Sequence, residues 1–240
     1  MHFCIIKAPM SLLEVQMAAG EKITAESGAM VYMKGDVDIN TRTREGGFLK
    51  KLKVTAFGGE SFFVNDFIAK SDCSIGLTGP PIGDIVQLAI KPGNGFIVQS
   101  GSYVASTTGI SLDTEWQGFT KGLFGSEFFM LKATGEGDLF ANAYGGIVQK
   151  DLVPGERMTI DNYHLVALGE QVQYNVIRVG GMKTTMLGGE GLATECTGPG
   201  PVLFQTKNLR ELIDILGINQ RAETTSNINR GMSFGGFRIG

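Results

Sequence analysis

The sequence predicts an all-β protein made of three repeated antiparallel β modules about a pseudo-three-fold axis, followed by one short C-terminal helix. Glycine is about twice as frequent as usual, with 35 copies in 240 residues, and it is typical of tight turns, not of helix or strand interiors. In addition, two different patterns each occur three times, in the same order along the chain. Many turns and an internal repeat together indicate many short strands.

In the first pattern, a turn glycine is followed seven positions later by a serine or asparagine. The copies occupy residues 19–31, 92–104 and 154–166 and their glycines are Gly20, Gly93 and Gly155. Apolar residues alternate after each glycine, as Ile23 and Ala25 do in the first copy, and this period predicts a half-buried strand. The Ser-Gly or Asn-Tyr pair that follows predicts a hairpin turn into the next strand.

The second pattern is a glycine-containing turn with a glutamate, flanked by apolar residues. It occurs at residues 56–63, 123–130 and 186–193. A single module would expose an apolar face, so three copies are expected to cover one another. The predicted divisions are 1–83, 84–149 and 150–207 for the repeats and 208–240 for a C-terminal helix and tail, all within one compact unit.

The helix is predicted directly after the third repeat. Asn208 is a suitable N-cap and Gly217 a suitable stop. Between them lies one apolar stripe, formed by Leu209, Leu212, Ile213 and Leu216. The polar tail from residue 218 onward is expected to be loosely held.

Charge and cysteine content limit the classes of partner and compartment. The net charge of −3 and the pI near 5.5 argue against a nucleic-acid partner, which normally requires a basic surface. The three cysteines, Cys4, Cys73 and Cys196, are widely spaced, which is typical of reduced thiols in a cytosolic protein. No signal peptide or membrane-spanning stretch is recognisable, and a cytoplasmic location is expected.

The repeats, with the Phe-Gly-Gly-Glu-Ser-Phe-Phe stretch at 57–63 and the Phe-Gly-Ser-Glu-Phe-Phe stretch at 124–129, resemble the altered-inheritance-of-mitochondria (mitochondrial biogenesis) family. The resemblance covers about residues 3–207. It implies a fold like that of the tryptophan RNA-binding attenuation protein, a shortened double-stranded β-helix, repeated three times. The family has no assigned biochemical function and supplies no catalytic residues. Its eukaryotic members are mitochondrial and linked to inner-membrane organisation, but no transit-like leader is recognisable in this chain, so that location does not carry over.

The repeated glutamates Glu60, Glu127 and Glu190 are the candidate metal ligands. A three-fold arrangement could bring their carboxylates together, and clustered oxygens bind Ca²⁺ or Mg²⁺. The preferred interpretation is structural, because each glutamate can accept hydrogen bonds from N–H groups of its own turn. His164 lacks the second and third imidazole of a zinc or cupin-type site, and no cofactor is predicted.

A basic stretch is the candidate binding surface. It consists of Arg42, Arg44, Lys50, Lys51 and Lys53. These residues could contact anionic lipid headgroups, RNA or an acidic protein, or they could form an ordinary solvated face, which is the preferred interpretation. Peripheral membrane contact is left open on this basis.

No cysteine is predicted to be a nucleophile. Asp72 stands beside Cys73 and Glu195 beside Cys196, and a neighbouring carboxylate raises the pKa of a thiol. Because the sequence shows no convergent set of titratable groups, it favours a non-enzymatic assembly or interaction protein, expected to be a homo-oligomer and open to a further protein partner. The alternative is a small-molecule-binding or cupin-like protein with a cavity between the β lobes.

Overall fold

The computed structural model describes residues 1–8, 10–43, 63–115, 130–178 and 192–217, and these residues form the all-β protein with one short helix that the sequence predicts. The first strands are β1 (His2–Ala8), β2 (Met10–Met17), β3 (Lys22–Glu26), β4 (Met30–Lys34), β5 (Val37–Thr43), β6 (Phe63–Ala69) and β7 (Cys73–Leu77). The next are β8 (Ile85–Ile90), β9 (Phe96–Gln99), β10 (Tyr103–Thr107), β11 (Ile110–Glu115), β12 (Met130–Gly135) and β13 (Gly137–Asn142). The last are β14 (Ile147–Leu152), β15 (Arg157–Asp161), β16 (Leu165–Gly169), β17 (Gln173–Arg178), β18 (Leu192–Thr197) and β19 (Gly200–Gln205).

The described strands pair antiparallel in four sheets. The two six-stranded sheets have the orders β5-β6-β3-β10-β13-β8 and β11-β12-β9-β16-β19-β14, so adding six to each strand number of the first gives the second. The sheet β15-β18-β17 becomes β3-β6-β5, the first half of this order, when its strand numbers are lowered by six twice. The sheet β1-β2-β7-β4, without its additional strand β1, becomes β8-β13-β10, the second half, when its strand numbers are raised by six. In each six-stranded sheet the middle junction, β3–β10 or β9–β16, joins one predicted repeat to the next.

The predicted turn glycines are present, but the turns after the following strands are not hairpins. Gly20, Gly93 and Gly155 have φ angles of +87°, +76° and +79°, in the left-handed region that glycine tolerates. However, β3 and β4 lie in different sheets, as do β9 and β10, and β15 and β16. The hairpin prediction is wrong, because each of these turns leads into a strand of another sheet. In the second and third copies, residues 100–102 and 162–164 form 3₁₀ turns with extended backbone on either side, without the positive φ that two-residue hairpins need. The chain therefore turns a corner into the neighbouring sheet.

An irregularity of pairing follows each of these corners. The register shifts between Met30 and Tyr32 in β4, between Tyr103 and Ala105 in β10, and between Leu165 and Ala167 in β16. Every shift falls ten to twelve residues after the turn glycine of its own segment. Such bulges increase the local twist of a strand and bend it, which suits a strand that has just left another sheet.

The predicted half-buried strand is found in β15, at the edge of a sheet, but not in β9, at the centre of one. β9 is buried on both faces, with Phe96 and Val98 in one hydrophobic cluster and Ile97 in another. Its central place in a six-stranded sheet explains this burial, because core side chains lie above and below it. β15 lies at the edge of a three-stranded sheet and keeps the predicted alternation, with Ile160 buried and Thr159 exposed.

The predicted helix is confirmed as α1 (Leu209–Ile215). The Oδ1 atom of Asn208 accepts a hydrogen bond from the backbone N–H of Glu211 at 2.9 Å, which is the geometry of an N-cap. Gly217 follows the helix with φ +64°. Leu216 departs from the predicted apolar stripe, since it is 58% exposed. The tail from residue 218 lies outside the described residues.

Candidate functional site

β4 and β15 each have a free edge in the described part of the structure. β4 pairs with β7 alone and β15 with β18 alone, whereas their counterparts in the six-stranded sheets have neighbours on both sides. We call residues 30–34 the β4 edge and residues 157–161 the β15 edge. An unpaired strand edge presents N–H and C=O groups that can pair with another chain.

The β4 edge carries apolar side chains in contact with solvent. Met30, Val31 and Met33 are 41%, 56% and 39% exposed. By contrast, its counterpart β16 is buried throughout, and so is β10 except for its last residue. β4 is thus as apolar as its buried counterparts, but in the described residues only one of its two edges pairs with another strand.

The side chain of Tyr32 is held over its own sheet. Tyr32 stands opposite Gly76 of β7, and its ring occupies the space where a side chain at Gly76 would lie. The hydroxyl donates a hydrogen bond to the Glu14 carboxylate at 2.6 Å, which lowers the pKa of Glu14 and raises that of Tyr32. The Tyr32 side chain therefore reaches across β7 to β2.

A buried carboxylate, Asp66 of β6, binds the first member of the predicted basic surface. Arg42 donates to it through Nε at 2.8 Å and Nη2 at 3.0 Å, Thr24 donates through its hydroxyl at 2.6 Å, and the Lys22 ammonium lies 3.8 Å away. Burial alone would raise the pKa of Asp66, but the hydrogen bonds and the two cations outweigh it and lower that pKa. Arg42, a member of the predicted basic surface, thus forms an ion pair within the chain, with Asp66.

Asp66→Asn is expected to reduce the free energy of unfolding by about 2 kcal/mol at pH 7, because charge-assisted hydrogen bonds are lost in a buried place. The pKa of the folded protein's Asp66 lies below its ordinary value of 3.8. The ionised Asp66 carboxylate therefore stabilises the folded state above about pH 4, and this stabilisation is lost as the pH falls through the folded-state pKa. Urea unfolding at pH 7, 4 and 3 should show a shallower acid loss in the variant.

The matched control is Asp38→Asn, since Asp38 forms an ion pair with Lys70 in which both side chains are 50% exposed. Solvent screens such an exposed pair, so it contributes little to stability. Equal acid dependence in the unchanged protein and the Asp66 variant would contradict the assigned role of Asp66.

An open cleft of about 600 Å³ lies where the first turn glycine approaches the turn between β10 and β11. Gly20, Lys22, Ile68 and Thr108 are among the residues that line it. The N-terminal ammonium of Met1 forms an ion pair with Glu21 at the same place. The cleft is a candidate small-molecule site in the described residues.

His164 is engaged in holding the helix cap. Its Nδ1 donates to the carbonyl oxygen of Gln205 at 2.7 Å, which leaves Nε2 to accept from the Asn208 amide at 2.8 Å. Asn208 in turn caps α1. Both ring nitrogens are thus occupied by structural hydrogen bonds.

The two cysteines that were weighed as nucleophiles have raised thiol pKa values. Burial, reinforced by Glu195, raises the pKa of Cys196 to about 11. Burial, reinforced by Asp72 and Glu21, also raises the pKa of Cys73. The predicted direction is confirmed, but burial is a larger cause than the adjacent acids. Both thiols are protonated at neutral pH and are weak nucleophiles.

Most of the predicted site residues lie outside the described residues: Glu60, Glu127, Glu190, Arg44, Lys50, Lys51 and Lys53. The metal-site and anionic-surface hypotheses therefore stay predictions. Where the chain is described, His, Cys, Asp and Glu side chains form no cluster suited to a metal ion. In that same part of the chain, no helix has the length and hydropathy needed to cross a membrane.

Sequence reasoning did not identify β4 and β15 as strands with a free edge. Residues 29–33 are as apolar as the segments that become buried strands, so local sequence does not distinguish the first copy from the other two. The available signal was position, because residues 30–34 belong to the first and residues 157–161 to the last of the three predicted repeats.

Comparison with known proteins places the chain among relatives of unassigned function. It is 30% identical to an uncharacterized protein of Streptococcus pyogenes serotype M6 over 213 residues, which cover 85% of each chain. Its structure is similar to an X-ray crystal structure of another Streptococcus pyogenes protein, with a TM-score of 0.74 and 25% identity, over 91% of this chain and 99% of that one. Residues 3–207 match the family model described as mitochondrial biogenesis AIM24. The chain therefore belongs to the AIM24 family, as its sequence motifs predicted.

Proposed function

We propose that this protein is a non-enzymatic assembly protein that associates through free strand edges. The observation that carries the proposal is the exposure of Met30, Val31 and Met33 on the β4 edge. Proteins normally protect such edges with charges, prolines or covering segments, because an apolar edge pairs readily with another strand. An uncovered apolar edge therefore indicates a surface that is covered in an assembly.

The proposal includes an architecture of three equivalent modules. Four features support it: the six-strand order repeated with a shift of six, the corners between sheets, the recurring register shift, and the positive φ of all three turn glycines. Pairing of β4 with β15 within one chain would give the pseudo-three-fold closure that the sequence predicts. Pairing of these strands between chains would give a head-to-tail assembly.

The test is to add charge to the β4 edge in the double variant Val31→Lys/Met33→Lys. A like charge on each copy, placed on an edge that must be desolvated, should shift the assembly toward the 25.7 kDa chain. Light scattering coupled to size-exclusion chromatography measures this mass over a range of concentrations. Far-UV circular dichroism checks that the fold is retained.

The control variant, Ile82→Lys/Val153→Lys, adds the same two charges outside the strands, at apolar residues that are 46% and 63% exposed. It should keep the mass of the unchanged protein. The same mass for the edge variant and the unchanged protein would contradict the proposal. A catalytic activity abolished by a single substitution would also contradict it.

The alternative, a small-molecule-binding protein, is supported by the open cleft beside Gly20 and Thr108. Ligand pockets combine apolar walls with a few convergent polar groups, and here Lys22 and the Met1–Glu21 pair supply polar groups. Native mass spectrometry of the purified protein would favour this alternative if a bound small molecule were found.

A further inference from the structure

We propose that the contact between His164 and Asn208 is a pH-sensitive switch, which holds helix α1 in place only while the His164 ring is neutral. The proposal concerns the C-terminal helix and does not depend on the proposed assembly function. It is based on the directions of three hydrogen bonds in series, which begin at the carbonyl group of Gln205 and end at the first turn of α1.

These three hydrogen bonds fix the positions of the protons. The backbone N–H of Glu211 can only donate, so the Asn208 atom that accepts from it at 2.9 Å is the amide oxygen Oδ1. The amide nitrogen Nδ2 of Asn208 therefore faces Nε2 of His164, at 2.8 Å. Because an amide nitrogen donates and does not accept, Nε2 carries no proton. The carbonyl oxygen of Gln205 can only accept, so the ring proton is on Nδ1.

A second proton on the ring is incompatible with this arrangement. In the charged imidazolium both ring nitrogens are donors, so the N–H bond at Nε2 would point at the N–H bonds of Asn208. Turning the amide by half a rotation would bring its oxygen to the ring, but its nitrogen would then face the Glu211 N–H. Asn208 is buried, where unpaired donors are costly. Protonation of His164 therefore breaks either the ring contact or the helix cap.

Helix α1 depends strongly on this cap. It is seven residues long, and a helix of that length is unstable on its own in water. Among its described side chains, Leu209, Leu212 and Ile213 are only half-buried, and Ile215 is 81% exposed. An N-cap residue changes the equilibrium of helix formation by about fivefold. Loss of the Asn208 cap should therefore release a helix that has little other anchorage in the described residues.

The position of His164 in the repeats also supports the proposal. His164 lies nine residues after its turn glycine, where the first and second segments have Ala29 and Ser102. Neither of these residues titrates, whereas histidine ordinarily changes its charge between pH 5 and 8. The strands β7 and β13 are followed by β8 and β14, but β19 is followed by α1. The titratable residue thus occurs in the segment that leads into the helix.

The groups that hydrogen-bond to the His164 ring are uncharged, namely the carbonyl group of Gln205 and the amide group of Asn208. Other titratable groups lie on the elements that meet at this turn: Asp161 and Tyr163 in the turn itself, Tyr144 before β14, Glu195 and Cys196 on β18, and Lys207 and Glu211 at the start of α1.

These other groups do not account for a change between pH 5 and 8. The Asp161 carboxylate accepts a hydrogen bond from the backbone of its own turn at 2.8 Å, and Lys207 forms an ion pair with Glu211 at 3.6 Å. Carboxyl and lysine side chains ordinarily titrate outside this range. Burial raises the pKa of Cys196 to about 11 and also raises the pKa of Tyr144, so both stay neutral. The histidine ring is therefore the group that responds.

Amide hydrogen exchange, followed by NMR on the full chain, tests the switch. The informative N–H groups are those of Glu211, which is bound by the cap, and Leu216, which donates to Leu212 within the helix at 3.0 Å. After correction for the intrinsic effect of pH on exchange, their protection should fall by at least about tenfold between pH 7.5 and 5, because the contact requires the neutral ring. The N–H groups of β19 should keep their protection and serve as the internal reference.

Three variants separate the ring from general effects of acid. His164→Ser introduces the residue of the second segment, Ser102, and should give low protection of α1 at both pH values. Asn208→Asp keeps an N-cap but presents a carboxylate oxygen to the ring, so protection should be higher at pH 5 than at pH 7.5. His2→Ser removes the other histidine, which is exposed on β1, and should behave like the unchanged protein.

The proposal is overturned if protection of α1 in the unchanged protein does not change with pH. It is also overturned if His164→Ser shows the same fall as the unchanged protein, since another group would then be responsible. A fall with acid in Asn208→Asp, in place of the expected rise, would contradict the assigned proton positions. Circular dichroism of each variant checks that the β-sheets are retained.

Discussion

At pH 8 the Glu26→Gln variant is expected to be more stable than the unchanged protein by about 3 kcal/mol. Glu26 is the last residue of β3 and is half-buried. Burial raises the pKa of its carboxyl group from 4.5 to about 7. The folded protein therefore holds this carboxyl in its neutral form under conditions where the unfolded chain releases the proton.

The sign of the pH dependence follows from this raised pKa. The proton bound at Glu26 favours the folded state fully below about pH 4.5, and this contribution is lost as the pH rises through about 7. Glutamine has the shape of the neutral acid and does not titrate. The two proteins should therefore be equally stable at pH 4, diverge between about pH 4.5 and 7, and differ by a nearly constant amount at higher pH.

Position in the fold explains why glutamine should be accepted. Gln99 follows Gly93 by six residues, as Glu26 follows Gly20, and Gln99 is buried at the end of β9. The substitution thus gives the first segment the residue that the second already has. Urea unfolding at unit intervals from pH 4 to 8 measures the divergence.

A suitable control is Glu136→Gln, because Glu136 is exposed in the turn between β12 and β13. Its effect should stay within about 0.5 kcal/mol at every pH. Parallel stability curves for the unchanged protein and Glu26→Gln would refute the raised pKa.

Features of this fold that depend on neighbouring residues in sequence were predictable. The turn glycines and the Asn208 cap follow from local backbone geometry, so their sequence patterns were sufficient. The all-β class and the family followed from composition and repeated motifs. Strand partners were not predictable in the same way, since the step from β3 to β4 looks like a hairpin until the sheet that receives β4 is known.

The candidate site shows the same limit. Arg42 looked like part of an exposed basic surface, because its partner Asp66 lies 24 residues away on another strand. The exposure of Met33 does not follow from its apolar character, because local sequence does not show whether another strand covers it. In both cases the decisive fact is a long-range contact, formed or missing, which a local pattern does not contain.

The proposed equivalence of the three modules can be tested energetically at the pair Tyr32 and Gly76. Its counterparts are Ala105 opposite Phe140 and Ala167 opposite Leu203. Each pair contains one large and one small residue, but the large one is on β4 in the first pair and on β13 or β19 in the others. Gly76→Phe alone would place two rings in the space of one.

Gly76→Phe should therefore reduce the free energy of unfolding by about 3 kcal/mol, since overpacking forces side chains out of their preferred rotamers. Tyr32→Ala alone should cost about 2 kcal/mol, through lost packing and the lost hydrogen bond to Glu14. The double variant recreates the arrangement of Ala105 and Phe140. It should be more stable than the sum of the single losses implies, by about 2 kcal/mol.

Equilibrium unfolding of the four proteins in this double-mutant cycle measures that coupling energy. Gly76→Ala combined with Tyr32→Ala serves as the control, because it removes the ring without supplying a new one and should recover little. Strictly additive losses would mean that positions equivalent in register are not equivalent in packing. The three segments would then share a strand order without sharing a core, and the proposed architecture of three equivalent modules would lose its physical basis.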